Sequence, residues 1–144
     1  MRELPVKLGL FDNYQTTLAG SRTMSDTEIE SFLPLKPADF HILFALLDGP
    51  RHGYRIARDI EEATYGQIRL AAGNLHRTVQ KLIRMKLVKV SDEIPDDDPG
   101  DQRRRYYAIT PLGRRAFLAD ASRMRALVEA VDAKNAAGGP EVRA

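Results

Sequence analysis

The sequence predicts a mainly α fold with one small β-hairpin, an α+β arrangement in which helices precede and follow the hairpin. Three observations carry this expectation. Apolar residues recur at helical spacing in successive segments between Pro37 and Lys86. Two short runs rich in β-branched and aromatic residues, Leu87–Val90 and Arg105–Ile109, flank a loop holding Pro95, Pro99, Gly100 and several aspartates. Thr110-Pro111 then supplies an N-cap residue followed by proline at a first helical position, which opens one more helix. At 144 residues the chain suits one compact core with extra length at its ends.

Residues from Met1 to Thr23 show no sustained period and read as a poorly ordered arm. Ser25 and Glu28 stand at capping-box spacing directly after Met24, so the folded part is expected to begin there, with Met24 a candidate start. Pro37 opens the first strong helix, whose Phe40, Leu43, Phe44, Leu46 and Leu47 form a wide apolar stripe, and Asp48-Gly49-Pro50 ends it. The second helix runs from Gly53 to Thr64, with Tyr54, Ile56, Ala57 and Ile60 toward the core, and Gly66 turns the chain after it. The alternation of Ile68 to Leu70 permits a small strand. The third helix starts near Gly73 and is expected to reach Lys86. Leu75, Val79, Leu82 and Ile83 lie on one face, with Asn74, Arg77, Lys81 and Arg84 on another. The fourth helix extends from Pro111 to about Lys134.

This order of elements is that of a winged helix-turn-helix with an added C-terminal dimerisation helix. The expected boundaries are an arm over 1–24, the winged helix over 25–110, the dimerisation helix over 111–136 and a frayed tail over 137–144. Phe117, Ala121, Met124, Val128 and Val131 alternate spacings of four and three, as in a coiled-coil seam, and are the expected dimer interface. The same spacing also fits packing against the chain's own first helix.

Net charge is only +2, so placement matters more than the total. From Arg69 to Ser91 six basic residues occur without one acid, whereas the hairpin loop is acidic at Asp96-Asp97-Asp98. A basic stripe on an amphipathic helix is, by itself, more often a solvated face than a nucleic-acid site. Its place before a hairpin with a basic root changes that balance. In helix-turn-helix docking the N-terminal part of the third helix meets base edges in the major groove, which nominates Asn74, His76, Arg77, Thr78 and Lys81. Arg84 is an expected backbone contact, and Lys89, Arg103, Arg104 and Arg105 are expected at the adjacent backbone or the minor groove, with double-stranded DNA as partner. An alternative is a winged helix that docks an acidic protein without reading DNA.

Other classes are poorly supported. The absence of cysteine removes disulfides, thiolate metal sites and thiol nucleophiles, and suits a cytoplasmic protein. His41, His52 and His76 form no metal-ligand or catalytic spacing, so no enzyme, metal or cofactor is expected. The aspartate triplet lacks the spacing of a calcium loop. No apolar run is long enough for a membrane span.

The runs Leu35-Lys36-Pro37-Ala38-Asp39-Phe40-His41-Ile42-Leu43 and Gly49-Pro50-Arg51-His52-Gly53-Tyr54 resemble the opening of the PadR family of bacterial transcriptional regulators. Leu70-Ala71-Ala72-Gly73-Asn74-Leu75, Arg103-Arg104-Arg105-Tyr106-Tyr107 and Ile109-Thr110-Pro111-Leu112-Gly113-Arg114-Arg115 extend the likeness over about Leu33 to Ala130. It implies a winged-helix, repressor-like protein, homodimeric through its C-terminal helix, with a small molecule as a possible effector. There are departures. Ala71 and Ala72 replace the family's Ser and Pro, losing a helix cap, while His76 replaces Tyr, Arg77 replaces Pro and Lys86 replaces a common Gly.

Overall fold

A computed structural model describes residues 26–94 and 104–138. The Ser25 cap, the acidic triplet Asp96–Asp98, Arg103 and the 139–144 tail lie outside that range, as does the expected arm over 1–24. The chain forms two compact units: Pro34–Phe117, and a second built from the described parts of 1–33 and 118–144.

In the first unit, α2 (Pro37–Ala45) follows α1 (Asp26–Glu30) of the second. Pro37 lies in the first turn of α2, where its missing N–H would have had no helical partner. Ile42 and Leu43 are fully buried, and Gly49, at φ +137°, lets the chain reverse into β1 (Arg51–His52). α3 (Gly53–Ala63) is capped by His52, whose Nδ1 accepts from the Arg55 N–H at 3.2 Å. Its Ile56 and Ile60, four residues apart, face the core. Tyr54 does not join them. Two positions from Ile56 on a helix is the opposite side, and Tyr54 is 70% exposed.

The ends of α3 and of α4 (Ala72–Arg84) are built alike. After α3, Gly66 N–H donates to Glu61 O at 2.8 Å and Tyr65 N–H to Glu62 O at 3.2 Å. After α4, Leu87 N–H donates to Leu82 O and Lys86 N–H to Ile83 O, both at 2.9 Å. This paired pattern closes a helix through one left-handed residue, usually glycine. Here that residue is Tyr65 (φ 54°) in one case and Lys86 (φ 67°) in the other. The helix therefore stops at Arg84, and Lys86 lies beyond it. Ile68 to Leu70 form no strand; the Ile68 N–H is taken by the Thr64 hydroxyl at 3.0 Å.

The hairpin gains a third strand. β3 (Tyr106–Ile109) pairs antiparallel with β2 (Val88–Ser91) on one side and with β1 on the other. Tyr107 lies opposite both Val90 and Arg51, and Tyr106 opposite both Ser91 and His52. Sheet and helices share one core, in which Leu75, Val79, Leu82, Leu87 and Val88 are buried with the α2 and α3 residues. Burying such side chains contributes roughly 1.5–3 kcal/mol each before chain entropy is charged against them.

α5 (Pro111–Ala136) begins in this unit and ends in the other. Its start is fixed by a tight junction. The Leu87 carbonyl accepts from Thr110 N–H at 3.0 Å; the Thr110 hydroxyl donates to Lys86 O at 2.7 Å and accepts from Gly113 N–H at 2.9 Å. A Cβ on Gly113 would stand 2.1 Å from the Leu87 oxygen. In the second unit Ile29, Ala119 and Asp120 are buried, and Asp120 accepts from Arg123 Nε at 2.7 Å.

Two expectations follow for urea unfolding. Lys86→Gly removes left-handed strain and stabilises by about 0.5–1 kcal/mol, the strain outweighing the added chain entropy; a loss of stability would contradict the helix end described above. Gly113→Ala forces the junction apart and costs about 2–3 kcal/mol; an unchanged midpoint would show that Leu87 and Gly113 do not meet closely.

Candidate nucleic-acid interface

α4 turns Leu75, Val79 and Leu82 inward, at offsets of four and three, and this fixes what lies outside. Asn74, His76, Arg77 and Arg84 are exposed. Ala71 occupies the N-cap position in extended backbone and makes no side-chain cap, as its methyl group requires. Within the exposed row, Arg77 donates a hydrogen bond to the Asn74 side-chain oxygen. The Thr78 hydroxyl donates to Asn74 O at 2.9 Å, turning back onto its own helix.

Lys81 behaves differently from the other basic residues. Its ammonium donates to both carboxylate oxygens of Asp39, at 3.0 and 2.8 Å, and Asp39 is only 4% exposed. Asp39 sits in the first turn of α2, so this pair fastens the recognition helix to the helix before it. Moving Lys81 to a phosphate would leave a buried carboxylate without its cation, which is costly. Lys81, expected at bases or phosphates, is engaged in this structure as a strut between α2 and α4.

At the wing, Arg104 and Arg105 are exposed where β3 begins, and Arg103 lies outside the described residues. Arg104 Nη1 is 2.9 Å from His52 Nε2. His52 is buried, and the Arg104 guanidinium and Arg55 N–H both approach its ring as donors. A neutral imidazole has one acceptor nitrogen, so the ring accepts from one of these two donors at a time. Lys89 is exposed on β2 opposite Ala108, and strand alternation puts it on the sheet face away from Val90 and Tyr107.

His76, Arg104 and Arg105 come together around a groove of about 660 Å³ between α3, α4 and the root of the wing. Residues that sequence reasoning left out complete it: His52, Tyr54 and Arg58 from the start and middle of α3, and Arg69 before α4. The exposure of Tyr54 was available from its offset to Ile56. The role of Asp39 was not, because its partner is 42 positions away and no local pattern marks the pairing.

Of the residues expected in a dimer seam, Phe117 is buried in the first unit. Its ring lies 4.5 Å from Phe40 and 6.1 Å from Phe44, centroid to centroid, so it packs within its own chain. Ala121 and Met124 are half-buried, while Val128 and Val131 are 59% and 56% exposed. Among the described residues no cluster of His, Asp or Glu could hold a metal ion, and no helix is long and apolar enough to cross a membrane.

Residues 42–119 match the model of the transcriptional regulator PadR-like family, which is more than half of the chain. The chain belongs to the PadR-like family. It is a DNA-binding transcriptional regulator and not an enzyme. A solved PadR family transcription regulator from Clostridium difficile R20291 shares the winged-helix fold at 20% identity, with a TM-score of 0.55 over 67% of this chain and 96% of that one. A transcriptional regulator from Clostridium thermocellum matches at 21% identity and a TM-score of 0.54, covering 76% of this chain and 96% of that one. A complex structure of the H. salinarum protein RosR is 28% identical, with a TM-score of 0.55 over 76% of this chain and 96% of that one. No curated protein matches the chain.

The Lys81 strut has a thermodynamic signature. Lys81→Met costs about 2–3 kcal/mol in urea unfolding, toward the low end for a broken buried pair because the ammonium is partly solvated. The double change with Asp39→Asn recovers part of that loss. If Lys81→Met proves as mild as Arg84→Ala, the strut does not exist.

Proposed function

We propose that this PadR-like regulator is a repressor that binds a palindromic operator as a homodimer, with α4 of each protomer in the major groove, and is released by a small-molecule effector. The observation that carries the DNA-facing part is the row Asn74, His76 and Arg77, exposed on a helix whose opposite side is sealed into the core. Because Asn74 Oδ1 already accepts from Arg77, the pair offers chiefly donors. Guanine presents two acceptors, N7 and O6, in the major groove, so guanine is the base this pair fits best. Arg84, Arg104 and Arg105 serve the phosphate backbone, with Thr78 supporting Asn74 through its carbonyl.

Dimerisation is supported by the exposed Val128 and Val131, joined by Leu127 at 54% exposure on the same helix. A two-fold pair presents two recognition helices about 34 Å apart, the spacing of successive major grooves. Occupying promoter DNA in this way excludes other proteins from it, which is repression in its simplest physical form.

The test is selection of genomic DNA fragments by the purified chain, followed by fluorescence anisotropy. A palindrome should be recovered, with affinity falling log-linearly as salt rises. Arg77→Ala should cost about 1–3 kcal/mol and relax the choice at one guanine position, and light scattering should give a dimer mass. Random fragments, or full affinity in Arg77→Ala, would reject the reading of the DNA face, and a monomer mass would reject the dimer.

A further inference from the structure

The groove beside α4 has more character than a DNA-backbone track requires. Its volume, about 660 Å³, lies within the roughly 300–1,000 Å³ typical of small-molecule sites. Its apolar lining comes from Leu70, Leu75, Val79 and Tyr107. Tyr54 stands at its edge, 70% exposed, with its ring nearly parallel to that of His52 at 12° and a centroid distance of 6.3 Å. An exposed aromatic ring at the groove's edge is a ready stacking surface.

The charges at the rim come from separate parts of the chain: Arg58 on α3, Arg69 before α4, and Arg104 and Arg105 at the wing root. Facing them among the described lining residues is one acid, Glu61, which is 3.4 Å from Arg69 and partly neutralised by it. Arg58 pairs with Glu62 at 3.8 Å, a contact exposed on both sides and so of little strength. Guanidinium groups in this number favour an anion with several acceptor oxygens, and a phosphomonoester carries three together with nearly two negative charges.

We propose that this groove binds a small aromatic phosphate, a planar ring bearing a phosphomonoester, and that such a ligand and DNA exclude each other. The ring stacks on Tyr54 above the apolar floor, and the phosphate lies among Arg58, Arg69 and Arg104. Exclusion follows from shared residues, since His76, Arg104 and Arg105 belong both to the groove and to the proposed DNA face. The exclusion rests on the DNA reading above; the binding site does not. This places effector action on the recognition surface itself, within one chain.

The experiment is calorimetric titration of the full chain with adenosine monophosphate, adenosine and inorganic phosphate as probes. The monophosphate should bind once per chain, at least tenfold more tightly than either adenosine or phosphate. Arg58→Gln with Arg69→Gln should weaken it about tenfold. Tyr54→Ala should weaken it about fivefold or more while leaving phosphate unchanged. A selected DNA fragment should displace it. Equal affinities for the three probes, or indifference to these surface substitutions, would overturn the site, and failure of DNA to compete would overturn the exclusion. A chain that binds the monophosphate in this way but selects no DNA would refute the regulatory reading and uphold the groove. One that selects its palindrome yet ignores the monophosphate would refute the groove alone.

Discussion

The carbonyl of Leu87 holds the DNA-binding half of this molecule together. It lies against Gly113, where no side chain fits, and accepts from the Thr110 N–H. The same residue donates its N–H to Leu82 and so closes the recognition helix. One buried residue thus joins the end of α4, the start of β2 and the start of α5. The direction of the recognition helix and the position of the wing are therefore set together. A regulator needs this, because bases and backbone are contacted in one docking geometry and small errors of angle between helix and wing would separate the two sets of contacts.

The second constraint is electrostatic. The basic run from Arg69 to Lys89 looks uniform in the sequence, yet its members have different duties. Lys81 neutralises a buried carboxylate and ties α4 to α2. Lys86 occupies a left-handed helix end, and Arg69 lies beside Glu61. What remains exposed on α4 is a short row, with two wing-root arginines beyond it. Its first turn lacks a side-chain cap, so the backbone N–H groups there have lost a protein partner that the family's serine would supply.

Much of this fold is legible because helical periodicity survives in each long segment: the Leu75, Val79 and Leu82 offsets and the Ile56 and Ile60 pair are buried as their spacing requires. Thr110-Pro111 marks the start of α5 equally well. What escapes local reading is either too short or too distant. Arg51–His52 is a strand of two residues, below any periodicity, and exists because β3 offers an open edge. Gly66 announces the end of α3, one residue past the left-handed Tyr65, whereas the end of α4 at Lys86 has no glycine to mark it. Asp39 and Lys81 meet only through the tertiary fold, so their pairing left no local mark. Phe117 shows the reverse ambiguity, since its spacing within α5 fits a dimer seam as well as it fits the aromatic contact it makes with Phe40.

In the proposed complex one face of α4 reads DNA while the Lys81–Asp39 pair holds the helix in place. A crystal structure of the chain on its selected DNA would decide it. It should show Asn74 and Arg77 against base edges in the major groove, with the Lys81 ammonium still on Asp39. A complex in which Lys81 has left Asp39 for a phosphate, or in which α4 lies outside the groove, would contradict it.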